Sequence, residues 1–279
     1  MNPQLEKRTV RNISASEKRV PASLMLATTA VNAALYAAVG ALWTLFPITA
    51  FGVRFWPQVF VPATFAVLFG PWTGGVGAAF GIFLADVIYG HHDALLSLLV
   101  GVPSNFLGFF IIGWAGNKRP ARAVRPVLLF VSLLIPVALA AYGVLLLAAP
   151  SGFSNPQVLV AIVGLVAVVT IVGLTFLRNR WADFETAASI GLGVGSVWIG
   201  LGLVAYSSFF ALPAVLGLGS KALPVTFAYG TIAFTYLSEI PFLVLLTPPV
   251  VAACRAAFPS LRVFSSARAG TQTSDDRQP

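Results

Sequence analysis

From Phe55 to Gly116 the chain carries no lysine or arginine, and its only carboxylates are Asp86 and Asp93. The rest of that stretch is largely apolar and rich in glycine, and it also carries His91, His92 and Asn105. A run of this kind has few folding options. Water cannot solvate it, so its backbone amides must bond one another, and helices in lipid are the structure that does this along a single chain. Composition extends the argument to the whole molecule. The chain is 58% hydrophobic and 9% charged, where a soluble domain carries about a quarter charged residues.

A transmembrane helix needs roughly 20 apolar residues. Eight candidate spans follow, at about 22–46, 55–69, 73–90, 94–115, 125–149, 157–177 and 186–210, with a last one inside 222–254. The second is short and holds Pro57 and Pro62. The last is too long for one span and is interrupted by Pro224, Pro241, Pro248 and Pro249. Gly70-Pro71-Trp72-Thr73-Gly74-Gly75 reads as a turn between the second and third. The predicted fold class is an all-α polytopic membrane protein, a bundle of about eight transmembrane helices.

The net charge of +8 does not point to nucleic acid, because the basic residues are clustered between apolar runs. The clusters are the N-terminal tail with Lys7, Arg8, Arg11, Lys18 and Arg19, then Lys118-Arg119-Arg122-Arg125, Arg178-Arg180, and Arg255-Arg262-Arg268. With eight spans and the N-terminus inside, all four fall on the cytoplasmic side, as topology by basic loops requires. Removing or adding one span in the middle would put two clusters outside. The expected division is a cytoplasmic basic tail at 1–21, one transmembrane domain at 22–254, and a cytoplasmic tail at 255–279 whose end, SSARAGTQTSDDRQP, is too polar to pack. The run from Ala22 to Phe46 is too long for a signal h-region and reads as an uncleaved first span. A multi-pass protein of the plasma membrane, surrounded by lipid, is expected.

Small residues mark helix faces. Ala30, Ala34 and Ala38 form one column on the first span and Ala33, Ala37 and Ala41 an adjacent one. Together they make a broad smooth face on which another helix can approach closely, whether from the same bundle or from a partner protein. Gly74, Gly77, Ala78 and Gly81 on the third span, and Gly191, Gly195, Ser196 and Gly200 on the seventh, read as faces that close the protein's own bundle.

Ionisable groups within spans are expensive and are paired, wet or functional. Asp86 lies one turn before the outer end of the third span, Asn105 half-way down the fourth after Pro103, and Glu239 deep in the last before Pro241. Each is either satisfied by a neighbouring helix or positioned to read a ligand. The outer loop from Pro47 to Pro57 holds Arg54 among Phe51, Phe55 and Trp56. Its aromatic residues need cover, so the loop is expected to fold back onto the bundle mouth, where Arg54 can meet an anionic group. The alternative is interfacial anchoring by Trp56 and Arg54. The candidate ligand-binding residues are therefore Arg54, Trp56, Asp86, His92, Asn105 and Glu239. Asp86, His91, His92 and Asp93 have metal-ligating chemistry, but adjacent turn residues diverge, and a polar outer loop is preferred to a metal site. No catalytic motif and no ATP-binding loop stands out, and the single cysteine, Cys254, excludes an intrachain disulfide. No cofactor is called for.

At Phe69-Gly70-Pro71, the small-residue start Gly74 to Gly81, Asp86 and the apolar helix from Leu95 to Gly113, the chain resembles the substrate-binding S components of energy-coupling factor vitamin transporters. The resemblance covers about 22–116. It implies a six-helix core, here with an additional pair. It also implies a lid at Pro47 to Pro57 over the ligand, and docking through the first span's alanines on a transmembrane coupling subunit that works with ATPase subunits. The function expected is capture of a vitamin or other small solute from outside. A self-contained secondary transporter with Asp86 and Glu239 as ion or proton sites is the alternative, followed by a metal-dependent membrane enzyme and a sensory module without transport.

Overall fold

The structure, a computed structural model, describes residues 21–45, 48–116, 181–218 and 222–258, with isolated positions between 127 and 170. The expected spans at about 125–149 and 157–177 lie largely outside the described residues. So do most of the basic clusters and nearly all of both tails.

Among the described residues, five helices are long and apolar enough to cross a membrane. They are α1 (Ala22–Leu42, prolonged by a tight turn over Trp43–Leu45), α3 (Pro71–Ile88), α4 (Ala94–Ala115), α5 (Ala182–Phe209) and α6 (Val225–Ala257). A sixth, α2 (Phe60–Phe69), has 10 residues. A two-stranded hairpin, β1 (Thr49–Ala50) and β2 (Val53–Arg54), links α1 to it. The protein is a helical membrane bundle.

Two expectations need correction. The second span does not reach from 55 to 69 as a crossing helix. Its helix begins only at Phe60, after a short turn at Pro57–Val59. At about 1.5 Å per residue it covers roughly half the hydrocarbon thickness. Nearly every residue of α2 is buried, from Val61 to Leu68, and it packs against α1, α3, α4 and α6. Conversely, the prolines of the last span do not divide it. α6 runs unbroken for 33 residues through Pro241, Pro248 and Pro249, because surrounding helices can support such a helix where its own ladder is interrupted.

The long helices follow one another around α2: α1 packs on α3, α3 on α4, α4 on α5, and α5 on α6. Small residues permit these contacts. A Cβ at Gly77 of α3 would lie 2.2 Å from Asn32 Nδ2 of α1, and one at Gly191 of α5 would lie 2.6 Å from the Gly108 carbonyl of α4. Asn32, fully buried, donates from Nδ2 to the Thr73 carbonyl at 2.9 Å, which joins α1 to the first turn of α3. Gly70, at φ 102, makes the reversal between α2 and α3, and Pro71 opens the next helix.

The alanine face of α1 divides in two. Ala33 and Ala37 are buried at 7% and 8% exposure, with Gly81 of α3 set against the Ala33 carbonyl. Ala41 is half-buried, and Ala30, Ala34 and Ala38 are exposed. The column through Ala33 and Ala37 is therefore internal packing, a correction to its assignment as a docking surface.

Three connections gather at one end of the bundle: the hairpin, the turn at 89–93 and the segment at 210–218. Arg54 reaches the Tyr89 carbonyl, and Gly52 lies against Leu218. At the opposite end Gly113 lies against Pro71, and Gly116 against Phe184 and Ala187.

Candidate functional site

The end that gathers the three connections encloses a cavity of about 400 Å³. Small-molecule sites run from about 300 to 1,000 Å³. Arg54, Trp56, Asp86, Asn105 and Glu239, each singled out in the sequence, all line it. They come from the hairpin, the segment after it, α3, α4 and α6, so only the tertiary fold brings them together.

The hairpin forms the roof. Its two central residues, Phe51 at φ 51 and Gly52 at φ 74, occupy the left-handed region, the geometry of a tight two-residue turn. Phenylalanine is poorly suited to that conformation, and the tertiary structure holds it. The Phe51 carbonyl accepts from Thr231 Oγ1 of α6 at 2.9 Å. Its ring meets Phe227 edge-on at 5.9 Å and fills the space a side chain at Gly230 would need.

A chain of hydrogen bonds crosses one wall. Trp56 Nε1 donates to Tyr36 Oη at 3.0 Å, Tyr36 Oη donates to Asn105 Oδ1 at 2.8 Å, and Asn105 Nδ2 donates to the Gly101 carbonyl at 2.9 Å. Tyr36 also meets Trp56 and Phe109 edge-on, with centroids 6.3 and 6.0 Å away. Tyr36 did not stand out in the sequence, because tyrosine in a span costs little; here it is 1% exposed and joins the roof to α4.

α4 is distorted where it faces the cavity. A wide π turn spans Ser97–Gly101 ahead of Pro103, a device frequent at functional sites. Proline has no N–H to give the Leu99 carbonyl four residues earlier; the Trp198 indole of α5 donates to that carbonyl at 3.2 Å instead. The distortion presents Ser97 to Asp86, and Ser97 Oγ donates to Asp86 Oδ2 at 2.6 Å. His91 Nε2 stands 3.5 Å from the same oxygen. The Asp93 backbone N–H donates to His91 Nδ1 at 3.1 Å, which places the neutral ring's proton on Nε2, toward Asp86.

His91, not His92, reaches the cavity, and this corrects the sequence assignment. His92 has φ 57 and turns back, its Nδ1 2.9 Å from the Val87 carbonyl. Asp93 is structural. Its Oδ1 accepts from the amides of Leu95 and Leu96 at the start of α4, and its Oδ2 from Tyr206 Oη at 2.9 Å. Among the described residues no three His, Cys, Asp or Glu side chains converge as a metal site.

Tyr89 closes the rim. Burial, reinforced by the Asp86 charge and opposed by Arg54, pushes its phenol up to about 12. At neutral pH it is a firm donor, and it donates to the Ala37 carbonyl. Glu239 stands apart from these networks. It is 8% exposed, lines the cavity, and makes no hydrogen bond or ion pair among the described residues. One turn earlier on the same face, Thr235 Oγ1 is buried and unpartnered.

No protein-family model, curated protein or solved structure matches this chain.

Proposed function

We propose that this protein is the membrane-embedded, substrate-binding subunit of a small-solute importer of the energy-coupling factor type. It captures solute from outside and depends on a separate coupling subunit and ATPases. The observation that carries the reading is the cavity: polar groups from five separate segments converge on an otherwise apolar space roofed by a short hairpin. Binding sites in helical membrane proteins have this composition. In this reading the chain crosses the membrane eight times, the second time through the short α2 and the segment leading into it, both termini are cytoplasmic, the membrane is the plasma membrane, and no chemistry is performed on the solute.

The placement of the loops supports the orientation. The roof, the 89–93 turn and the 210–218 segment share one end. The basic clusters adjoin the other end in sequence, next to the start of α1, the end of α4, the start of α5 and the end of α6. The exposed column Ala30, Ala34 and Ala38 is the part of the α1 face left for a coupling subunit.

The test is native mass spectrometry of gently purified protein. A bound small molecule together with co-purifying subunits is expected. Solute uptake by the chain alone in liposomes, driven by an ion or proton gradient, would replace this reading with that of a self-contained transporter. Glu239, a buried carboxylate with no partner among the described residues, is the observation that favours this second reading.

A further inference from the structure

The solute class can be narrowed from the groups that the protein's own hydrogen bonds leave unused; this step rests on reading the cavity as a solute site. Asn105 is committed through both its oxygen and its amide, and Asp86 is engaged by Ser97 with His91 beside it. Among the described residues, the cavity side chains with no hydrogen bond at all to their carboxylate or hydroxyl are on α6, Glu239 and Thr235, while Asp86 keeps only its Oδ1 free. Residues four apart on a helix share a face, so these two present a single accepting site.

Charge gives the sign. Two carboxyl groups, Asp86 and Glu239, and one guanidinium, Arg54, line the cavity. A cationic solute would give the buried Glu239 carboxyl the ion partner that no described residue supplies. Aromatic rings add to this, since Tyr36, Trp56 and Phe109 line the cavity together. Aromatic rings beside a carboxylate attract organic cations. The remaining wall, with Ile82, Leu96, Val100, Ile112, Leu192 and Leu203, suits an apolar body.

We infer that the cavity binds a small organic cation, an apolar body carrying a protonated nitrogen that docks on Glu239 and Thr235 beside the Tyr36 and Trp56 rings. Arg54, on the roof, offsets one of the two carboxylates.

Three probes of similar size test this on purified full-length protein at neutral pH: phenethylamine, 2-phenylethanol and 3-phenylpropionate. Each is titrated at up to millimolar concentration while thermal stability is followed. The amine alone should raise the melting temperature. Glu239→Gln, which keeps the side-chain volume, should weaken amine binding by about tenfold or more, the loss expected for a charged hydrogen bond. Preference for the carboxylate, equal binding of amine and alcohol, no binding of the amine, or an unchanged amine affinity in Glu239→Gln would each overturn the assignment. If Glu239→Gln does not fold, Thr235→Val replaces it: amine affinity should fall, and an unchanged value overturns the proposal. Gradient-driven amine uptake by liposomes that hold this chain alone would defeat the importer-subunit reading and leave the cation assignment standing. Partner subunits found with a bound anion would do the reverse.

Discussion

Tyr36 shows how one side chain can organise a site. It accepts from Trp56 of the segment after the hairpin and donates to Asn105 of α4, while its own helix forms the outer wall. Tyr36→Phe leaves the Trp56 N–H and the Asn105 oxygen without their partner, at a cost of about 1–3 kcal/mol for each buried group left unsatisfied. The melting temperature should fall and the roof should loosen; an unchanged melting curve would show that the two groups find other partners. Asn105→Ala acts through the same network and should also destabilise, whereas Arg54→Ala, which loses one long contact of 3.4 Å to the Tyr89 carbonyl, should not. Arg54, Asp86, Asn105 and Glu239 were legible in the sequence because charge and amide are costly in lipid. Tyr36 and Thr235 were not, since neither side chain is costly enough to betray a site. Between His91 and His92 composition offers no choice. The left-handed turn at His92 makes it.

At the scale of the element, the hairpin and α1 carry the testable content. The hairpin is two residues per strand, too short to stand alone, and Phe51 sits in a conformation that phenylalanine avoids. Its anchors are on α6, where Gly230 leaves room for the ring. Gly230→Val should evict Phe51, cost about 1–3 kcal/mol as overpacking does, and expose the Arg54 bond to trypsin. Protease resistance equal to wild type would mean that the roof does not depend on this contact. The two faces of α1 should respond differently to bulk. Ala37→Trp fills a buried position against the bundle and should lower the melting temperature or prevent folding. Ala34→Trp is on the exposed column, so the isolated protein should keep its stability and its binding of the amine probe. In the importer reading Ala34→Trp abolishes co-purification of the coupling subunit and uptake. Uptake preserved at wild-type rate would remove this face from docking.

For the whole molecule the question is orientation. In a Cys254→Ala background, Val215→Cys lies at the roofed end, on an exposed residue, and should react with an impermeant thiol reagent in intact cells. Ser154→Cys should react too. Arg122→Cys and Arg180→Cys adjoin the basic end and should stay unlabelled until the membrane is permeabilised; labelling at either from outside contradicts the eight-span arrangement. All three of these latter positions lie outside the described residues, so the experiment tests the charge pattern independently of the structure.

Lipid as the solvent, helices as the elements and the neighbourhood of the expensive polar groups were determined by the sequence alone, because backbone and charge desolvation penalties are large and local. Depth, register and neighbourhood were left to the tertiary structure. α2 proved a half-length helix, since hydropathy reports that a segment is apolar and not whether lipid or protein surrounds it. α6 proved continuous through its prolines, because neighbouring helices support what its own ladder lacks. The alanines of α1 were readable as small but not as inward or outward, a distinction that exists only once α3 packs against one column. α1, the hairpin with the segment after it, α3, α4 and α6 are distant along the chain and meet around one cavity. Each polar group announced its own cost in the sequence, but which of them remain unpartnered once the others are satisfied depends on distances that only the folded bundle sets.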